Sequence, residues 1–266
     1  MTSEDARYVV IVRLSKPPFI EDLVKAVLEE SDFDVSKLQS LPYARLELAR
    51  VLAARGLKEL DDSLRSAFEA EVGEVKSHLP RSYVGVADVL MELNSLEGYP
   101  ALIKAGAPTP YSECKQAEFS CVIRVFLRRL AEAMGSTGES PEPPLLIVGL
   151  VTYSMYARHV EGLKKLGLAP SVSKEELYSE VLGLAGGSGA VYFTSGKSRL
   201  DSLLHVWAKN PAKYVAEEAK VVYEASQTSL YFAGGLLNIL THFFVTRFYE
   251  GRLLRIIASR RLLHGS

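Results

Sequence analysis

The stretch Leu57–Leu79, LKELDDSLRSAFEAEVGEVKSHL, decides the fold class. Leu57, Leu60, Leu64, Phe68, Val72, Val75 and Leu79 recur at intervals of three or four residues. That spacing lines one side of an α-helix with apolar side chains. Lys58, Glu59, Asp61, Asp62, Arg65, Glu69, Glu71, Glu74 and Lys76 are assigned to the charged faces. Pro80 closes the pattern because proline has no N–H for the next helical hydrogen bond.

Similar stripes surround it. Ile20 to Glu29 reads as a helix after Pro17-Pro18, and Tyr43 to Ala54 as another ending at Gly56. Val86, Val89, Leu90, Leu93 and Leu96 form the next stripe, and Val122, Val125, Phe126, Leu130 and Met134 one more, with Arg124, Arg128 and Arg129 on its other side. Strand is conceivable only at Tyr8–Val12 and Ala190–Thr194, and each is short enough to be a helix start or an extended loop. The expected class is all-α. Gly135–Pro144 (GSTGESPEPP) reads as a linker and Ala105–Ser112 and Gly186–Ser198 as loops. The expected organisation is a first helical lobe over 1–107, a middle helical segment over 108–199, and a last lobe over 200–266 that packs with the N-terminal helices.

The two ends also echo each other. Leu41-Pro42-Tyr43 is followed by Glu47, and Asn210-Pro211 by Tyr214 and Glu218. Proline suits a first helical turn, and a tyrosine and a glutamate four residues apart share a helix face. The match raises internal duplication as an expectation.

Composition narrows the function. The chain has 266 residues, with 31 basic and 32 acidic side chains and a net charge of −1. That balance lacks the basic excess of a dedicated nucleic-acid binder. The start, MTSEDARYVVIVRLSKPPF, is acidic with a short apolar run, unlike a secretory signal, so a cytoplasmic protein is expected. Leu145–Tyr156 is too short to span a bilayer, and Thr228–Val245 contains His242 and Asn238, so both read as buried helix. Cys114 and Cys121 read as buried thiols of a reducing compartment.

Candidate chemistry is sparse. Gly196-Lys197-Ser198 matches the end of a phosphate-binding loop, but Val191 stands where that motif needs glycine. A flexible loop is the expectation, and an enzyme using it for a phosphate-bearing ligand is one rival reading. Five scattered histidines suggest no metal site. No cofactor is expected, and nothing specifies an acid, a base and a nucleophile together.

The C-terminus carries the most information. Tyr249, Leu253, Ile256, Ile257 and Leu263 make an apolar stripe, with Arg247, Arg252, Arg255, Arg260 and Arg261 mostly off it. The run Glu250-x-Arg252-x-Leu254-Arg255-x-Ile257-x-x-x-Arg261-Leu262 resembles the terminal helix of the central-stalk funnel family of archaeal-type ATP synthases, which includes its vacuolar ATPase counterpart. The family pattern is roughly E-x-R-N-L-R-x-I-x-x-x-K-L, so Leu253 and Arg261 depart from it. Trp207–Ala219 (WAKNPAKYVAEEA) and Leu38–Leu46 (LQSLPYARL) resemble its repeat openings, and Asp88–Leu96 (DVLMELNSL) its repeat closure. The resemblance covers about half the chain and leaves Thr109–Ser198 unmatched.

The resemblance implies a funnel of similar helical-bundle lobes. Such a protein sits peripherally on the cytoplasmic face of the membrane, on the proteolipid ring, and receives the rotor shaft. It is a non-catalytic central-stalk coupler of an A-type or V-type rotary ATPase or ATP synthase. Tyr43, Tyr214, Glu250, Arg252, Arg255 and Arg261 become structural or interface candidates, with other helices expected to supply the partners of Glu250 and Arg252. The remaining rival is an unrelated all-helical adaptor or scaffold.

Overall fold

The computed structural model describes residues 2–15, 19–31, 51, 53–115, 118–186 and 191–264. Every regular element among them is helical: α1 (Ser3–Leu14), α2 (Ile20–Leu28), α3 (Leu57–Ser77), α4 (Arg81–Met91), a 3-10 segment (Glu92–Gly98), α5 (Tyr99–Lys104), α6 (Phe119–Gly135), α7 (Glu142–Lys165), α8 (Lys174–Leu184), α9 (Val191–Lys209), α10 (Pro211–Phe232) and α11 (Leu236–His264). The protein is all-α. The expected helix at Tyr43–Ala54 falls mostly outside the described residues.

Two helices organise the rest. α7 is buried on every side from Pro144 to Ala157, as an apolar helix surrounded by others must be. It packs on α6, α8, α9, α10 and α11. A side chain at Gly149 would place its Cβ 2.3 Å from Val181 Cγ1, so glycine sets the close approach of α8. α11 packs on α1, α2, α3, α4, α7 and α10. One hydrophobic cluster therefore runs from Ala6 through α7 to Ile257. Val51, Leu60 and Ala258 form a small satellite.

Several sequence expectations change. Tyr8–Val12 lies inside α1, and Val191 begins α9, so the strand reading and the Gly186–Ser198 loop reading give way to helix from Val191 onward. Lys197 consequently sits inside a helix, 2.7 Å from Asp201, rather than on a phosphate loop. Thr228–Val245 is two helices instead of one. α10 stops at Phe232, and Gly234-Gly235 separates it from α11. Within the Gly135–Pro144 stretch, residues 136–141 connect α6 to α7, and the two helices pack on each other. Cys114 and Cys121 form a disulfide in place of two thiols. Their spacing of seven residues brings the loop before α6 onto that helix's first turn.

The stripes hold. Val86, Val89, Leu90, Leu93 and Leu96 are buried, as are Val122, Val125, Phe126, Leu130 and Met134. Arg124, Arg128 and Arg129 pair with Glu180, Glu113 and Glu92. Among the described residues, no helix is long and apolar enough to cross a membrane.

Candidate functional site: the charges of the terminal helix

α11 begins where its first N–H groups need partners, and Glu139 supplies them. Its carboxylate accepts from the N–H of Leu236 and of Leu237, each at 3.0 Å, and from the Tyr83 hydroxyl at 2.5 Å. The negative charge also suits the positive end of the helix. A side chain at Gly235 would displace this carboxylate, since its Cβ would fall 2.0 Å from Glu139 Oε2.

One turn further, the polar residues of the apolar run pair among themselves. Ser229 donates to Asn238 Oδ1 at 2.9 Å, and Asn238 donates to the carbonyl of Ala233. His242 Nδ1 lies 2.7 Å from Ser226 Oγ. Burial pulls the His242 pKa down to about 4.

Next comes a buried four-charge cluster. Arg247 donates to Glu250 at 2.5 Å, to Glu71 at 3.2 Å and to the Arg13 carbonyl at 2.9 Å. Arg13 donates to the same Glu71 at 2.8 Å. Two cations and two buried carboxylates, with the more exposed Glu74 3.3 Å from Arg13, thus join α1, α3 and α11. Burial raises the Glu250 pKa and outweighs the opposing pull of Arg247. Glu250 takes its cation from its own helix, not from another one as expected. Glu71, read as part of a solvated face, is buried.

The following turns reach α7, α10 and the 3-10 segment. Arg252 donates to Glu97 at 2.5 Å, and Arg158 of α7 donates to the other oxygen of Glu97 at 3.0 Å. Burial pushes the Glu97 pKa up, but Arg252 and Arg158 overcome that and hold it low. Arg158 also lies 3.5 Å from Glu218, which is fully buried and accepts from the Tyr249 hydroxyl at 3.0 Å. Tyr214 completes this group. Its hydroxyl is 2.7 Å from Ser154 Oγ, and the Arg158 guanidinium lies over its ring. Tyr214 and Glu218 do share a face of α10, and Arg158 is the group that face meets.

The last turns are more open. Arg255 grips Asp61 of α3 with two bonds, at 2.7 and 3.1 Å, and both side chains are about half exposed. Arg260 donates to the Val27 carbonyl at the end of α2. Arg261 is half-buried in the final turns. Tyr43 lies outside the described residues.

Tyr214, Glu250, Arg252 and Arg255 therefore fall along one continuous seam. Sequence reasoning missed Arg13, Glu71, Glu97, Arg158 and Arg247 as its members. Arg158 carried a signal, being the one arginine in a long apolar run from Leu145 to Val160. Among the described residues, no three His, Cys, Asp or Glu side chains gather as a metal-binding group. The seam's charges are committed to one another, which suits mechanical tying of helices. No protein-family model, curated protein or solved structure matches the chain.

Proposed function

We propose that this chain is a non-catalytic coupling component in the central stalk of an A-type or V-type rotary ATPase or ATP synthase. In this reading it joins the rotor shaft to the membrane proteolipid ring, peripherally on the cytoplasmic face. One observation carries the reading. Of the residues that resemble the family's terminal helix, Arg252 and Arg255 tie α11 to Glu97 and Asp61, and Glu250 pairs with Arg247, which reaches Glu71 of α3. A torque coupler needs that property. Force entering at one end must reach the other without the ends separating, and close-packed helices joined by ion pairs resist such separation.

The reading brings a funnel of pseudo-repeated lobes with it. Tyr214 and Glu218 open one module, and the counterpart expected at Leu41–Glu47 lies outside the described residues. The cytoplasmic placement requires the Cys114–Cys121 disulfide to persist in a reducing compartment, as disulfides do in intracellular proteins of hyperthermophiles.

A second reading, an all-helical adaptor for a protein partner, is favoured by the large hydrophobic cluster that the first and last helices share. Tyr231 and Phe232, largely exposed at the end of α10, would be its anchors. Affinity purification of the tagged chain from native membranes separates the two. Proteolipid and shaft proteins recovered together support the coupler. Recovery of a soluble partner without any rotor component supports the adaptor.

A further inference from the structure

At the far end of α7 the chain turns into α8 through Leu166-Gly167-Leu168. Gly167 adopts φ +71°, its N–H donates to the Lys164 carbonyl at 3.0 Å, and the Leu168 N–H donates to the Leu163 carbonyl at 2.9 Å. This helix stop explains the glycine and the usual pairing of Leu168 with Leu163. It places no demand for leucine at position 166, yet Leu166 is 75 % exposed and Leu168 54 %.

The surroundings of the two leucines are basic. Lys164 and Lys165 are exposed, and Lys165 Nζ lies 4.8 Å from the centre of the half-buried Trp207 ring on α9. Two residues beyond Trp207, Lys209 ends α9, and Lys213 lies in the first turn of α10, both exposed. Beside Lys164 lie Glu161, 2.8 Å away, and Glu175 at the start of α8, and Glu217 follows Lys213 by one helical turn. Lysines outnumber them.

We infer that this tip docks on an anionic lipid bilayer surface. Leu166 and Leu168 enter the boundary between headgroups and acyl chains. Trp207 sits at headgroup depth, where an amphipathic ring is favoured. Lys165, Lys209 and Lys213 meet the lipid phosphates. Charge complementarity selects this occupant, because an apolar tip backed by ammonium groups matches an apolar interior beneath a negative surface. The inference goes beyond the rotary reading, and its test contains no rotor component, so the two stand or fall separately.

Flotation of the full chain with lipid vesicles tests it. The chain is expected to float with mixed phosphatidylcholine–phosphatidylglycerol vesicles, to ignore pure phosphatidylcholine, and to release as salt rises. Leu166→Asp with Leu168→Asp lowers partitioning by at least about tenfold. Each lysine among Lys165, Lys209 and Lys213 changed to Gln lowers it about fivefold. Unchanged helical circular dichroism keeps these variants interpretable, since the altered side chains are on the surface. Failure to float with the mixed vesicles would overturn the inference, as would undiminished flotation of the double aspartate variant. Equal binding to neutral vesicles would overturn it too. Leu166-dependent retention on native membranes without vesicle binding would assign the tip to a protein instead.

Discussion

The first and second halves of α11 carry the same kinds of side chain and use them differently. In the first half, His242, Arg247 and Glu250 are enclosed, and their partners Ser226, Glu71 and Arg13 are enclosed with them. In the second half, Arg252 and Arg255 pair with Glu97 and Asp61 at or near solvent. Distances are similar in both halves, so burial sets the consequence of breaking a pair. An enclosed charge that loses its partner stays unsolvated, whereas an exposed one is rehydrated.

Arg247→Met should give the largest effect. Arg13 still faces Glu71, but Glu250 is left buried without its cation. A loss of about 3–5 kcal/mol in a urea titration is expected. Adding Glu250→Leu should restore much of it, because the uncompensated carboxylate is then gone. If Arg247→Met alone is harmless, the two halves do not differ in the way described.

Acid should act on the enclosed half next. His242 titrates near 4 when folded and near 6.5 when unfolded. The unfolded state therefore takes up the proton first as pH falls. Stability should drop between pH 6.5 and pH 4, by up to about 3 kcal/mol, and His242→Gln should flatten that slope. Glu97, held low by its two arginines, adds a loss in the same direction once pH falls below the ordinary carboxylate range. Glu250, held high by burial, works in the opposite sense because the folded state binds its proton more readily. Melting temperature across a pH series reads the balance.

Tyr249→Phe removes the hydroxyl that serves the buried Glu218 carboxylate and should cost about 2 kcal/mol by denaturant midpoint. Glu139→Gln weakens the cap at the start of α11, for about 1 kcal/mol by the same measure. Arg255→Ala should be the mildest, under about 1 kcal/mol, despite its two well-formed bonds to Asp61.

Much of this contrast was hidden in the sequence, for a physical reason. Apolar spacing reports which face of a helix is buried, and it located α3, α4 and α6 well. It fails where charges bury one another. Glu71 occupies a helix with eight other charged residues between Lys58 and Lys76 and looks solvated until Arg13 and Arg247 arrive from distant segments. The terminal pattern named Arg252 and Arg255, whereas nothing in it named the carboxylates they meet, Glu97 and Asp61. The end of α10 was missed because an apolar run masks a Gly234-Gly235 break, and the Cys114–Cys121 bond because a pair of cysteines does not reveal in sequence whether it is oxidised.

If the exposed half of α11 serves the proposed stalk assembly, Arg255 should matter more to partners than to folding. The direct test is the Arg255→Glu chain, with its denaturant midpoint measured beside its recovery of rotor proteins from native membranes. The account predicts a stability loss of about 1 kcal/mol or less together with clear depletion of shaft and proteolipid components. Full recovery of those components, or their absence from the parent chain's own purification, would contradict it.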